Sequence, residues 1–548
     1  MTAFPLRRLF AAAAGAAVSF GCMRATANAD GTPLPGSARV AGPGAASAPK
    51  LVVFITVDQL RGDYPSRFPG EFRHGIARLT NGGAWFTFGF QDHAITETAP
   101  GHASIGSGRF PSHTGIASNS IGVIDPVYPL VVGLPNEIGA SAQRFQGTTL
   151  FDWLAAKDKR ARALSVSAKD RGAILPIGRS KQDVYWYSNS GSFTTSRYYG
   201  DSLPAWVTEF NARGIPQSYA GGEWGLSRDT STYKEPDAVS YENRGNDNTF
   251  PHRFPADNRA AGYMRATPIM DSVTALLALE GLQRTGIGRG PQTDVMAVSF
   301  SATDYIGHTY GPDSREVHEN LLRLDETIGW FIDSLYKLRD SSSIVIALTG
   351  DHGMSPIPEL ARERGQATGD QGLRVSLRQE VAQVRAGLRA ANADTAAFLY
   401  DGELIGVDRA ALKKARVNAD SLLSAFAHAA LQVHGVARVD RMTAVRQADF
   451  ALEPIARRWA HQIPDNLGID LVVTLTRYST WGTLVATHGS PYDQDASVPI
   501  IFYGAGVKPG RYSLFARTVD IAPTLAAILS VKPLEKLDGR ALLEAIVR

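Results

Sequence analysis

The sequence predicts an α/β protein: a central, mostly parallel sheet flanked by helices, with a smaller α/β cap region inserted late in the chain. Continuous apolar runs recur, each closing on an aspartate, as strands buried on both faces of a parallel sheet do. Long helical patterns lie between them, and that alternation is characteristic of α/β folds. A charged, helix-rich stretch then breaks the pattern before a further apolar run restores it.

The chain starts with an export signal. Arg7 and Arg8 form its basic end, Leu9 to Phe20 its apolar stretch, and Ala27-Asn28-Ala29 a small-x-small cleavage site ahead of Asp30. This predicts a periplasmic or secreted protein, and the arginine pair also fits a twin-arginine route. The apolar stretch is too short to span a bilayer, and no later run has spanning length. The single cysteine, Cys22, lies inside the signal, so the exported chain has no thiol for a disulfide or a thiolate metal site. Any metal must be held by histidines and carboxylates. Residues 30–49, rich in Gly, Pro, Ala and Ser, read as a linker.

The first strand is KLVVFITVD, residues 50–58. DVMAVSFSATD (294–304) and SIVIALTGD (343–351) repeat its pattern, and VPIIFYG (498–504) adds a further candidate. Helical periodicity covers Met270 to Arg284 and Arg315 to Leu338. Residues 180–260, rich in Tyr, Trp, Ser, Asn and Gly, read as an irregular insertion. Residues 359–480 carry a charged helical segment and a short αβ unit, which predicts a second, smaller domain between a core of 50–358 and its continuation, 481–548.

With 44% hydrophobic and 20% charged residues, the 548-residue chain has ample material for a large core. Setting aside Arg7, Arg8 and Arg24, basic and acidic residues balance at 53 each, which gives no electrostatic reason to expect nucleic acid or an anionic membrane as partner.

In α/β sheets ligands gather at the carboxyl ends of the strands. Asp58, Asp304 and Asp351 all fall there, and histidines accompany them: His308 four residues after Asp304, His352 directly after Asp351, and His488 ahead of the last run. Three Asp and three His suit two zinc ions with open positions for substrate, without excluding manganese or iron. Such a pair can stabilise both the attacking and the leaving oxygen of an in-line displacement.

Thr98-Ala-Pro-Gly-His102, Gly108 to Gly115, Asn119, Lys169-Asp-Arg171, Gly350-Asp-His-Gly353, Thr487-His-Gly489, Thr518 to Thr524 and Asp538-Gly-Arg540 complete the pattern with Thr56-Val-Asp58-Gln-Leu-Arg61. In this order the sequence resembles the alkaline phosphatase superfamily, in its PafA-like bacterial branch with a threonine nucleophile, related to type I phosphodiesterases and nucleotide pyrophosphatases. The resemblance implies an alkaline phosphatase that hydrolyses phosphate monoesters through a phosphothreonine. Asp304, His308 and His488 would hold one zinc, and Asp58, Asp351 and His352 the other, with Thr98 bound to the second as an alkoxide. Thr98 followed by Pro100 also reads as a helix N-cap, where anions are favoured.

Sulfatase relatives carry Cys or Ser at the nucleophile position, where this chain has Thr98. The alternative is a phosphodiesterase with the same metals. Asn119 could donate to a phosphate oxygen in either branch. A monoester dianion gains more from extra cations, and Lys169 and Arg171, placed on one side by alternation in an extended segment, fit that need. The resemblance puts this pair over the transferred phosphoryl group. A zinc-bearing phosphate-binding protein is the non-enzymatic rival, and it would have no need of Thr98. The implied partners are small-molecule phosphate monoesters, with the oligomeric state open and a monomer sufficient.

Overall fold

The computed structural model describes residues 48–547. The export signal, Cys22 and all but the end of the linker lie outside the described residues. Nine strands form the main sheet: β1 (Leu51–Val57), β2 (Ala84–Phe90), β3 (Ala163–Ser167), β4 (Asp183–Tyr187), β5 (Phe193–Thr194), β6 (Asp294–Phe300), β7 (Ile344–Gly350), β8 (Ile500–Gly504) and β9 (Gly510–Arg517). Their spatial order is β9-β2-β8-β7-β1-β6-β3-β4-β5. The pairings are parallel except at β8, which runs antiparallel to both neighbours, and at β5 on the edge.

Every residue of β1, β6 and β7 is buried, as their unbroken apolar runs require of central strands covered on both faces. Their register is level: Val57 pairs with both Phe300 and Gly350, so the three chains leave the sheet along one edge. The fold is thus the expected mixed α/β architecture, a large, mostly parallel sheet between helices. Two local differences from the sequence reading matter. Strand β6 ends at Phe300, four residues before Asp304. Residues 183–187, read as irregular, add β4 to the sheet because Val184 and Tyr185 to Tyr187 bury their side chains there.

Five helices bear on the site or its support: α1 (Thr98–Ser107), α2 (Asp170–Ile174), α3 (Ile269–Thr285), α4 (Ala302–Tyr310) and α5 (Arg315–Leu338). Helix α5 begins where Ser314 Oγ accepts the Val317 amide at 3.2 Å, a standard N-cap. No helix among the described residues is long and apolar enough to cross a membrane.

A second, four-stranded sheet is built from Phe398–Asp401, Leu404–Val407, Ile469–Leu475 and Val436–Arg441 in that order, all antiparallel. Helices Arg378–Ala390 and Ala419–Ala430 pack on it through Leu388, Leu423 and Phe426. A separate apolar cluster joins this sheet to the segment preceding Thr98: Trp459 packs with Ala94, Ile95, Leu404 and Val472, and its indole donates to Thr474 Oγ1 at 2.8 Å. Trp459→Ala is expected to lower stability by about 3–5 kcal/mol through the cavity it leaves. Denaturant unfolding reads this directly, and an unchanged midpoint would refute the role given to this cluster.

Candidate active site

The level register brings Asp58, Asp351 and helix α4 to one edge. Asp58 follows β1, its amide bonded to the Phe300 carbonyl at 2.8 Å, and Asp351 follows β7. Asp304 sits in the first turn of α4, so His308, four residues on, shares its face. His488 arrives from the loop ahead of β8. Two groups of ligand atoms result. In one, His308 Nε2 and His488 Nε2 lie 3.3 and 3.4 Å from Asp304 Oδ1. In the other, His352 Nε2 stands 3.3 Å from Asp58 Oδ1 and 4.0 Å from Asp304 Oδ1. Asp304 therefore belongs to both groups. Asp351 is more distant, its Oδ1 3.8 Å from His352 Nε2 and accepting the Gln59 amide at 3.0 Å.

The three imidazoles are held alike. The Nδ1 of His308, His352 and His488 each lies 2.8 Å from a backbone carbonyl, of Ala486, Gly353 and Thr96 respectively. A carbonyl can only accept, so Nδ1 carries a proton, and Nε2 is the nitrogen turned toward the carboxylates, free to ligate a metal once it gives up any proton of its own. This orientation by a carbonyl is how metal-binding histidines are usually fixed. Asp58 Oδ1 and His352 Nε2 are sealed from solvent with no hydrogen-bond partner. Against the effect of burial, Asp351 and Asp58 push the His352 imidazole up to about 9, so the site stabilises positive charge. Orphaned buried acceptors, oxygen and nitrogen donors and a cation-favouring field together fit a divalent metal.

Thr98 opens α1, buried but for 1% of its surface. The sequence reading made it the N-cap. The helix instead begins one residue earlier: Glu97, extended at φ −120° and ψ 164°, is the cap, and Thr98 is the first helical residue. Its hydroxyl is consequently free of capping duty. Gly101 permits the helix to lie against β7, since a Cβ there would stand 2.3 Å from the Asp351 carbonyl oxygen.

Lys169 Nζ lies 3.4 Å from Thr98 Oγ1 and 2.6 Å from Asp58 Oδ2, and it also contacts Asp304 Oδ2. Against burial, Asp304 and Asp58 raise its pKa and keep the ammonium charged. The segment is not extended as read: Lys169 is the cap of α2, its amide bonded to Ser167 Oγ at 3.0 Å, and Arg171 sits in the first turn. Lys169 Nζ lies 5.1 Å from the centre of the Tyr305 ring, and Arg171 Nη1 lies 3.4 Å from Asp170 Oδ1. Arg171 Nε is buried without a partner. Asn119 Oδ1 accepts the Ala99 amide at 2.9 Å, which occupies the oxygen and leaves its NH2 as the available end.

Residues 52–396 match the family described as Type I phosphodiesterase / nucleotide pyrophosphatase, more than half the chain. The chain belongs to the type I phosphodiesterase / nucleotide pyrophosphatase family. It is 30% identical over 535 residues to alkaline phosphatase PhoK of Sphingomonas sp, covering 91% of each chain. It is 31% identical over 512 residues to alkaline phosphatase PhoV of Synechococcus elongatus, covering 89% of this chain and 92% of that one. The crystal structure of wild-type alkaline phosphatase PafA superposes with a TM-score of 0.85 at 27% identity, covering 92% of this chain and all of that one. By contrast, mouse ectonucleotide pyrophosphatase/phosphodiesterase family member 7 is similar over only 74 residues, 13% of this chain, at 34% identity.

Two residues quoted within the sequence motifs, Gln59 and His102, had been given no role, and a third, Asp495, lies outside those motifs. Gln59 donates its amide to Asp351 and its side-chain NH2 to Asp304 Oδ1 at 3.2 Å. His102 Nδ1 lies 2.9 Å from the Thr98 carbonyl and 3.2 Å from Asp351 Oδ2. Asp495 ties two ligand-bearing loops, accepting from Ser355 at 2.7 Å and from the Ser490 hydroxyl at 2.6 Å. Of these, only the His102 spacing, one helical turn from Thr98, signalled its contact in advance.

Proposed function

We propose that this protein is a metal-dependent alkaline phosphatase, hydrolysing phosphate monoesters through a phosphothreonine at Thr98. The observation that carries the reading is Thr98 Oγ1 at the start of a helix, 3.4 Å from the Lys169 ammonium and beside two converging ligand groups. The full-length similarity to alkaline phosphatases supports it. Asp304, His308 and His488 would hold one zinc, and Asp58, Asp351 and His352, with Thr98, a second. When bound, such a pair supplies Lewis-acid stabilisation to the leaving and attacking oxygens.

The chain's own residues do the rest. Thr98 Oγ attacks phosphorus in line with the ester oxygen, the P–O bond to the alcohol breaks, and overall the alcohol leaves with the proton Thr98 gave up. Water then attacks the phosphothreonine from the vacated side, releasing inorganic phosphate and restoring the hydroxyl. The Asn119 NH2, Lys169 and Arg171 donate to the non-bridging oxygens, and the N-terminus of α1 adds its amides and dipole. Catalysis here is positioning and charge placement.

The family match itself favours diester hydrolysis as the second reading. Turnover of p-nitrophenyl phosphate against bis-p-nitrophenyl phosphate on zinc-loaded protein separates the two: a monoester preference is expected, and a diester preference overturns the reading. Dialysis against a chelator is expected to lower activity by on the order of 10³-fold, since several kcal/mol of charge stabilisation goes with the metal. Zinc should restore it, and activity that survives chelation would exclude metal dependence.

A further inference from the structure

Helix Pro454–Gln462 packs against the second sheet through Trp459 and ends on a side chain that faces the nucleophile segment. Gln462 is fully buried. Its Oε1 accepts the Ile95 amide at 2.8 Å, and its Nε2 donates to the Ala117 carbonyl at 2.6 Å. A backbone N–H can only donate and a carbonyl only accept, so the two contacts fix which way the Gln462 amide points. His93 Nδ1 lies 3.0 Å from the same Oε1 and fills its second lone pair. The helix is anchored on this segment from one turn further back. His461 Nδ1 lies 2.7 Å from the Asp92 carbonyl, and Arg457 Nη2 lies 2.9 Å from Asp92 Oδ1.

Ile95 lies three residues before Thr98, and Ala117 two before Asn119. One side chain thus bridges the stretch of backbone that carries the nucleophile to the stretch that carries Asn119. Nearer the site the same two stretches are clasped directly: the Asn119 amide donates to Glu97 Oε2 at 2.6 Å, and Asn119 Oδ1 accepts the Ala99 amide at 2.9 Å. Asn119 itself is only partly buried and belongs to no helix or strand, whereas Ala117 and Gln462 behind it are fully buried. We propose that Gln462 is a positioning residue for the reaction, setting from outside the main sheet the distance between the Asn119 NH2 and Thr98 Oγ1. This rests on the phosphatase reading above. A donor to a developing anion is effective only where it is held, and a displacement of about 1 Å is enough to cost about 10²-fold. The region around the second sheet thereby reaches the reaction without touching substrate.

The test is a double-mutant cycle in kcat/KM for p-nitrophenyl phosphate on zinc-loaded protein. Asn119→Ala alone is expected to cost about 10²-fold, as loss of one preorganised donor does. Gln462→Met keeps the length and volume of the side chain and removes both of its backbone hydrogen bonds. In that background Asn119→Ala should cost less than about tenfold, because the amide it removes is already misplaced. Lys169→Ala, on a segment that Gln462 does not touch, should cost the same factor in both backgrounds. Each factor is a ratio within one background, so loss of folded enzyme cancels and a merely structural role would leave the Asn119 factor unchanged. Should Gln462→Met not accumulate, Gln462→Glu carries the same comparison, since it keeps the acceptor for Ile95 and loses the donor to Ala117. An undiminished Asn119 factor, or an equal drop in the Lys169 factor, overturns the positioning role and leaves the phosphatase reading standing. No loss from Asn119→Ala in the unsubstituted enzyme overturns the part given to Asn119, and this inference with it. Absence of any monoester turnover overturns the phosphatase reading itself.

Discussion

Thr98→Ala is expected to abolish turnover of phosphate monoesters, lowering kcat by at least about 10³-fold, because covalent catalysis loses its only nucleophile. The substitution removes a hydroxyl that caps nothing, since Glu97 occupies the cap position and the Asn119 side chain satisfies the Ala99 amide. The ligand groups around Asp304 and Asp58 are contributed by other segments and should keep their metal. The amides of α1 and the charges of Lys169 and Arg171 remain, so inorganic phosphate should still bind. Metal analysis, phosphate titration and rapid-mixing kinetics on the variant separate these elements. Retained metal and phosphate with no product burst is the expected combination. A burst of unchanged amplitude in Thr98→Ala would remove Thr98 from the mechanism, whereas Thr98→Ser should retain it.

The sheet was legible because its central strands are single apolar runs closed by carboxylates, and Asp58 and Asp351 stand where those runs end. Asp304 was legible for a different reason: its spacing from His308 is one helical turn, although the strand before it stops at Phe300 and a helix carries both. Local backbone state was harder to read. Lys169 and Arg171 read as alternating in an extended segment because nothing nearby marks a helix, while the structure starts α2 at Asp170 with Ser167 bonded to the Lys169 amide. Thr98 looked like a cap because Thr and Pro are typical of helix starts, yet the extended Glu97 takes that place. What escaped altogether was long-range. Gln59 meets Asp304, and Asp495 meets Ser355, across stretches of chain that no local pattern spans.

Lys169→Ala is expected to cost the monoesterase about 10²–10³-fold in kcat/KM, the range seen when one preorganised donor to a developing anion is removed. The expectation follows from where the ammonium stands. Its side chain is almost wholly buried and its Nζ lies within reach of Thr98 Oγ1, so water cannot replace its charge without opening the site. Asp58 and Asp304 keep it ionised despite burial, which makes it a fixed cation rather than a proton carrier. The same two carboxylates belong to the ligand groups, and removing a competing ammonium frees them, so metal content should hold or rise as activity falls. A loss of metal in the variant would assign Lys169 a structural part instead. The diester supplies the sharper comparison. Its phosphoryl group carries one charge fewer, so it loses less when Lys169 goes, and the monoester-to-diester ratio should drop by about tenfold or more. If both esters slow by the same factor, the ammonium does not read substrate charge, and the preference for monoesters must then rest on Arg171 and Asn119.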